Sequence, residues 1–169
     1  MDQLWTPWRM PYLREPKPDG CIFCQKVEAT DDRAAHVLVR GKHCFITLNL
    51  YPYNNGHLLV VPYAHVPSLE HLPDETLTDL MRSVNRGLAI LRAAIQPHGF
   101  NIGVNLGQVA GAGISDHVHI HVVPRWESDT NFMGIVAATR VIPEWIDDTY
   151  DRLAATHQRL IAEGQLPAP

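Results

Sequence analysis

The chain has 169 residues with 14 Lys and Arg against 18 Asp and Glu, a net charge of −4, which suits one domain able to bury a core. No block of basic residues offers an electrostatic footprint for nucleic acid, so that partner is excluded and any phosphate-bearing ligand must be held by local groups. No apolar run approaches the ~18 residues of a membrane span, and Met1-Asp-Gln-Leu-Trp5 lacks a signal peptide's basic and apolar regions, so the expectation is a soluble cytoplasmic protein with no membrane partner.

Residues 1–20 hold Trp5, Pro7, Trp8, Pro11, Tyr12, Pro16 and Pro18, a composition that predicts an irregular arm packed on a neighbouring surface. Cys21-Ile-Phe-Cys24 follows; in a chain with three cysteines it suits a metal or redox role in a reducing compartment better than a disulfide framework. His36–Arg40 and His43–Asn49 read as strands joined by a hairpin at Gly41-Lys42. Leu50–Gly56 is a loop, and His57–Val61 a third strand stopped by Pro62. Leu77, Leu80, Met81, Val84, Leu88, Leu91 and Ile95 recur at helical spacing behind Asp74, a suitable N-cap, and Pro97-His-Gly99 ends that helix. Phe100–Asn105 and His117–Val123 complete five strands. A last helix from about Pro143 carries Ile146, Tyr150, Leu153 and Leu160 on one face. Short links between strands and few helical crossovers predict an α+β fold with an antiparallel sheet. The organisation expected is an arm over 1–20, a main domain over 21–142, and a C-terminal helix and tail over 143–169.

The chemistry is concentrated in His117-Val-His119-Ile-His121-Val-Val123. On a strand the three imidazoles share one face, about 6–7 Å apart, while Val118, Ile120 and Val122 take the other. Three buried imidazoles without a task would each need a partner. Neutral imidazole is a nucleophile near neutral pH and a good leaving group from a reprotonated phosphoramidate. The glycine-punctuated run Asn105–Gly113 upstream can bring backbone N–H groups close to a phosphate. These features point to nucleotidyl or phosphoryl transfer through His119. A zinc-dependent metallohydrolase is the second enzyme reading, since His-x-His can chelate zinc; Asp116, the nearest carboxylate, faces away from the triad on a regular strand. A nucleotide-binding protein without turnover is the third.

The triad followed by Pro124-Arg125, with Gly56-His57-Leu-Leu-Val-Val-Pro62 some sixty residues earlier, resembles the histidine triad family over roughly residues 21–126. Leu4-Trp-Thr-Pro-Trp-Arg-Met10 and Asp129-Thr-Asn-Phe132 look like the bacterial subgroup related to the fragile histidine triad branch. That resemblance implies a histidine-triad-like fold and cleavage of dinucleoside polyphosphates such as diadenosine tetraphosphate, resolved by phosphate or water. A nucleoside phosphoramidase of the same family is the alternative. It implies that His119 attacks the α-phosphorus, that His117 and His121 flank the phosphates, and that His57 supports His121 from behind. It further implies that Asn49 contacts ribose, that Leu48 and Leu59 wall the base pocket, and that Asn105 adds a polar contact. Candidate anion ligands are the Gly107–Gly113 amides (Gly111 and Gly113 among them), Ser115 and Arg125; Asp129, Asn131 and Phe132 could shape the leaving-group side. Many family members carry a hydroxyl where this chain has Ile114, with Ser115 one position late. Phosphate is favoured slightly over water as the acceptor.

Cys21-x-x-Cys24 alone is half a zinc site. A thioredoxin-like reading needs a strand before the motif and a helix starting at it, and the proline-rich arm predicts neither. In zinc-bearing members of the family the set is completed by a histidine after the Gly-His strand and the first triad histidine, here His65 and His117. Four protein ligands leave no position for an activated water, so such zinc is structural. No organic cofactor is implied. The resemblance implies a homodimer. His36, His43, His71, His98 and His157 read as surface or loop histidines, and Cys44 as a small buried hydrophobe.

Overall fold

Apolar and β-branched stretches form five strands: β1 (Val37–Arg40), β2 (Cys44–Leu48), β3 (Leu58–Pro62), β4 (Gly99–Val104) and β5 (Ile120–Arg125). The computed structural model describes residues 20–127, 129 and 142–169, so the arm expected over 1–20, Gly20 apart, lies outside the described residues. Every pairing is antiparallel, in the order β1-β2-β3-β5-β4, as the short links required.

Residue parity decides the two faces of the sheet. Leu38, Ile46, Leu58, Val60, Val118, Ile120 and Val122 pack under two helices, α2 (Asp74–Ile95) and α3 (Ile146–Ala162), against Leu80, Val84, Ile90, Leu91, Leu153 and Leu160. Val37, Phe45, Leu59 and Val61 take the opposite face and pack with Phe23 of the short helix α1 (Ile22–Glu28). Val39 breaks parity and joins the first cluster, because the β1–β2 register shifts between Val37 and Val39. Helix α3 shares its core with α2 and the sheet and is tied to the β1 side by Tyr150 Oη donating to the Val37 carbonyl at 3.1 Å and by the Arg33–Asp151 pair at 2.8 Å.

The structure corrects several boundaries. Helix α1 was not expected; at seven residues it is too short for apolar periodicity to register, and its tertiary anchor is Phe23, 1% exposed. Asp74 is the first helical residue and Pro73 occupies the cap position, so the acidic pair Asp74-Glu75 acts on the helix terminus through charge and not as a side-chain cap. Helix α3 begins at Ile146, past Pro143. The ladder of the triad strand begins at Ile120, not His117. Val60 pairs with Ile120, so Pro62 would stand opposite Val118, and proline has no N–H for the next rung. The Val118 amide donates instead to the Val66 carbonyl at 2.8 Å. Among the described residues, no helix is long and apolar enough to cross a membrane.

Candidate active site

The triad side chains occupy the sheet face shared with Phe23, as strand parity requires. His117, His119 and His121 are all buried, and so is His57, from the residue just before β3. Gly56 precedes it at φ +73°, with its α-carbon packed so closely that a Cβ would come within 2.7 Å of Ile95 Cδ1. The turn aiming His57 at the triad therefore depends on glycine.

Each imidazole has one nitrogen fixed. His119 Nδ1 lies 3.0 Å from the carbonyl of His117. A carbonyl only accepts, so Nδ1 carries the proton and Nε2 keeps its lone pair. His117 Nε2 donates in the same way to the Pro62 carbonyl at 2.9 Å, which leaves Nδ1 unprotonated. His57 Nε2 and His121 Nδ1 are 3.0 Å apart, and His121 Nε2 is buried without a hydrogen-bond partner among the described residues. Burial lowers the pKa of His119, partly offset by its bond to the His117 carbonyl; burial and neighbouring imidazoles push His57 down to about 3 and His121 down to about 4. All three are thus neutral near physiological pH, the form in which imidazole is a nucleophile or a hydrogen-bond partner for phosphate.

Two aromatic rings frame this row. The Phe23 ring centre is 4.9 Å from that of His119 and 5.3 Å from that of His117. Tyr53 lies nearly parallel to His121, with ring centres 5.5 Å apart. Neither was singled out by sequence reasoning. Phe23 sits between the two cysteines, where helical spacing turns it away from the sulfur atoms; no local signal marks Tyr53.

His117 Nδ1 faces a second constellation. Cys21 Sγ is 3.4 Å from it, Cys24 Sγ 3.8 Å and His65 Nδ1 3.3 Å, while Cys24 Sγ and His65 Nδ1 are 3.3 Å apart. The four atoms lie within 4.8 Å of one another and could hold a metal ion. Cys21 caps α1 and Cys24 lies in its first turn. A helix does start at the CxxC motif, contrary to expectation, and it turns both thiols toward His65 and His117.

Other expected site residues are placed differently. Leu59 belongs to the cluster on the triad face, but Leu48 is in the core under the helices and cannot wall the same pocket, because adjacent strand positions face opposite ways. Asn49 is turned inward: Nδ2 is 3.2 Å from His57 Nδ1, and Oδ1 accepts from the Tyr51 amide at 3.0 Å. Asn105 Nδ2 donates to the Gly111 carbonyl at 3.4 Å and closes the glycine loop on itself. That loop is largely exposed, with Gly107 at φ +79° and Gly111 at φ +90°; Gly113 is exposed, and Ser115 Oγ donates to Asp116 at 3.1 Å. Arg125 does not offer an anion site: Asp129 engages two of its nitrogens and Asn101 a third, at the far end of β5 from the triad. Asn131 and Phe132 lie outside the described residues. His157 is buried within α3 and accepts from Arg86 at 3.2 Å, so it is neither a surface nor a loop histidine; His36 lies in the turn before β1, half-buried beside Asp147. Cys44 is buried as expected.

A family model described as the HIT domain matches residues 31–128. The chain is 42% identical over 165 residues to a Mycobacterium tuberculosis protein named AP-4-A phosphorylase, covering 92% of this chain and 84% of that one. It is 29% identical over 160 residues to adenosine 5'-monophosphoramidase HNT1 of Saccharomyces cerevisiae, covering 90% of this chain and 92% of that one. Among solved structures, a Zn-bound histidine triad family protein from Mycobacterium smegmatis superposes with a TM-score of 0.68 at 26% identity, over 85% of this chain and 96% of that one.

Proposed function

The chain belongs to the HIT domain family, and from that premise we propose that it cleaves dinucleoside polyphosphates, adenine forms foremost, with inorganic phosphate as the acceptor. The observation that carries this reading is the buried, neutral His119, whose Nδ1 is tied to a backbone carbonyl while Nε2 keeps its lone pair. In the first step Nε2 attacks the α-phosphorus, the P–O bond to the polyphosphate breaks, and its electron pair leaves with the oxyanion. The imidazolium so formed keeps its Nδ1 proton on the His117 carbonyl. A phosphate oxygen then attacks phosphorus, the P–N bond breaks, and the pair returns to Nε2. His121 flanks the phosphates, with His57 behind it; His117, expected to do the same, has Nε2 on the Pro62 carbonyl and Nδ1 in the cysteine cluster, so its part is to hold the strand in place. Leu59 walls the base pocket, Asn105 and the Gly107–Gly113 amides line the phosphate side, and Ser115 reaches it by rotating off Asp116. Similarity to the M. tuberculosis protein over most of both chains supports the substrate class and the acceptor.

We assign the four-donor cluster to structural zinc. Tetrahedral zinc, with bonds of about 2.0–2.1 Å to nitrogen and about 2.3 Å to sulfur, sets its ligand atoms about 3.3–3.8 Å apart, and the close separations here are 3.3–3.8 Å. The Zn-bound relative supports the same reading. Bound zinc would supply a cross-link between α1, the segment after β3 and the triad strand. Four protein ligands leave no open position, and Asp116 is exposed and engaged by Ser115, so a metallohydrolase is disfavoured. The thiol pair fits a reducing cytoplasm.

The proposed assembly is a homodimer, supported by exposed Ile102 on edge strand β4 with Leu106 and Val109 beyond it. Sedimentation at micromolar concentration should give twice the 19.0 kDa chain mass; the mass of one chain rules the dimer out.

Incubating the protein with diadenosine tetraphosphate and phosphate should yield ADP plus ATP, faster as phosphate rises. AMP plus ATP at a rate indifferent to phosphate makes the protein a hydrolase. Preference for adenosine phosphoramidate, the second reading on the strength of the yeast relative, moves it to the phosphoramidase branch. Turnover of neither leaves a binding protein.

A further inference from the structure

The two ends of helix α1 are fastened by different chemistry. At the C-terminal end Arg40 donates to the carbonyls of Lys26, Val27 and Ala29 at 2.8, 3.3 and 3.0 Å, contacts that depend on no metal. The N-terminal end carries Cys21 and Cys24, which meet His65 and His117 in the four-donor cluster. Between the two thiols sits Phe23, whose ring centre is 4.9 Å from that of His119 and 5.3 Å from that of His117. The residue packed on the nucleophile is therefore fixed by the same turn of helix that supplies two of the four donors. Cys21 and Cys24 are free and half-buried, whereas the third cysteine, Cys44, is sealed in the core. Their sulfur atoms lie within 4.8 Å of each other, and Cys-x-x-Cys at the start of a helix is a spacing at which a disulfide forms.

We infer that Cys21 and Cys24 form a redox clasp: oxidation of the pair to a disulfide gives up the metal, loosens the first turn of α1 and weakens the hold of the triad face on a nucleotide. This rests on the zinc assignment and on a nucleotide meeting the protein at His119. The oxidant is a peroxide. One thiolate sulfur attacks the O–O bond and becomes a sulfenic acid, and the other oxygen leaves as hydroxide. The second thiolate then displaces hydroxide from that sulfur and the S–S bond forms. Two electrons pass from sulfur to peroxide, and two protons from solvent turn the two hydroxides into water. His65 and His117 remain as two nitrogen donors, half of a tetrahedral shell. With the sulfur atoms drawn to each other, the first turn pivots on the Arg40 anchor. Phe23, 1% exposed while the clasp is shut, loses its fixed place against His119. The effect falls on affinity and not on the bond-making step, because His119 Nδ1 keeps the His117 carbonyl. Linkage makes the coupling reciprocal: the factor by which zinc raises nucleotide affinity is the factor by which nucleotide raises zinc affinity.

Zinc-loaded protein titrated with hydrogen peroxide tests the clasp, with AMP as the nucleotide probe so that no turnover is needed. Zinc appearing on a colorimetric chelator should match the loss of two of the three thiols, and a Cys21–Cys24 disulfide should appear in the peptide map. AMP should bind roughly 5–150-fold more weakly, the usual span of a coupling between two sites, and dithiothreitol with zinc should restore it. Zinc kept through the oxidation, thiols lost to sulfinic acid without a disulfide, or unchanged AMP affinity overturns the inference. So does outright unfolding of the oxidised protein by circular dichroism, since the loosening is confined to α1. Saturating AMP should tighten zinc by the same factor in chelator competition; zinc affinity indifferent to AMP defeats the coupling. Phe23→Ala removes the ring through which α1 acts, so AMP should bind weakly and equally with and without zinc. If Phe23→Ala does not fold, the reciprocal titration of the unaltered protein decides. Both couplings in a protein that cleaves no substrate refute the proposed function and leave the clasp standing; turnover of diadenosine tetraphosphate with AMP affinity indifferent to zinc does the reverse.

Discussion

His119→Ala should lower turnover of diadenosine tetraphosphate by about 10⁶-fold, the scale on which removing a covalent nucleophile acts in other enzymes, while the fold and nucleotide affinity persist. The loss is large because no other group can take over. His117 Nδ1 is turned into the cysteine cluster, and His121 Nδ1 is engaged by His57. The structural cost is small by comparison. The His117 carbonyl loses its partner at 3.0 Å and a cavity opens beside Phe23, together about 1–3 kcal/mol. Rate, nucleotide titration and melting temperature measured on one preparation separate these effects. A variant keeping more than a hundredth of the rate refutes the covalent mechanism. Mass spectrometry of the unaltered protein quenched during turnover should find the nucleotidyl group on His119.

Removing the metal should be the largest single blow to stability. Apparent zinc affinity in small metal-dependent folds corresponds to about 10–16 kcal/mol, and here the four donors come from three segments, α1, the stretch after β3 and the start of the triad strand. Helix α1 has seven residues, below the length at which a helix sustains itself; apart from the cysteines, it is held to the sheet by Phe23 and by Arg40 of β1, which donates to the Lys26 and Val27 carbonyls at 2.8 and 3.3 Å. Cys24→Ala should abolish stoichiometric zinc and lower unfolding free energy by about 3 kcal/mol or more, as loss of a structural metal ligand does. Protein that remains folded should still form the nucleotidyl-histidine. Elemental analysis and denaturant unfolding with and without chelator measure both. Freshly purified protein without zinc removes the site. Chelation that stops turnover at an unchanged unfolding midpoint revives the metallohydrolase.

Local pattern was enough for the strands, both long helices and the histidine row, because period two and period 3.6 are properties of the chain itself. Alternation alone placed Val118, Ile120 and Val122 under the helices and the three imidazoles opposite them. The residue types and spacing of Cys21, Cys24, His65 and His117, read through the family resemblance, matched a cluster whose donor atoms the fold brings within 4.8 Å of one another. What the sequence could not contain is which partner each polar atom meets. Asn49, read as a ribose contact, is turned onto His57, and Leu48 lies on the wrong face. Arg125 is consumed by Asp129 and Asn101, and the triad ladder starts late because Pro62 has no N–H to offer. Tautomers are the sharpest case. The histidine at 57 is a sequence fact, but which of its nitrogens keeps a lone pair depends on the Tyr53 amide, which reaches His57 Nδ1 only once the loop from Leu50 to Gly56 has closed. Residue type and periodicity are encoded one position at a time, whereas hydrogen-bond direction is a property of atoms that only tertiary contact brings within 3 Å or so of each other.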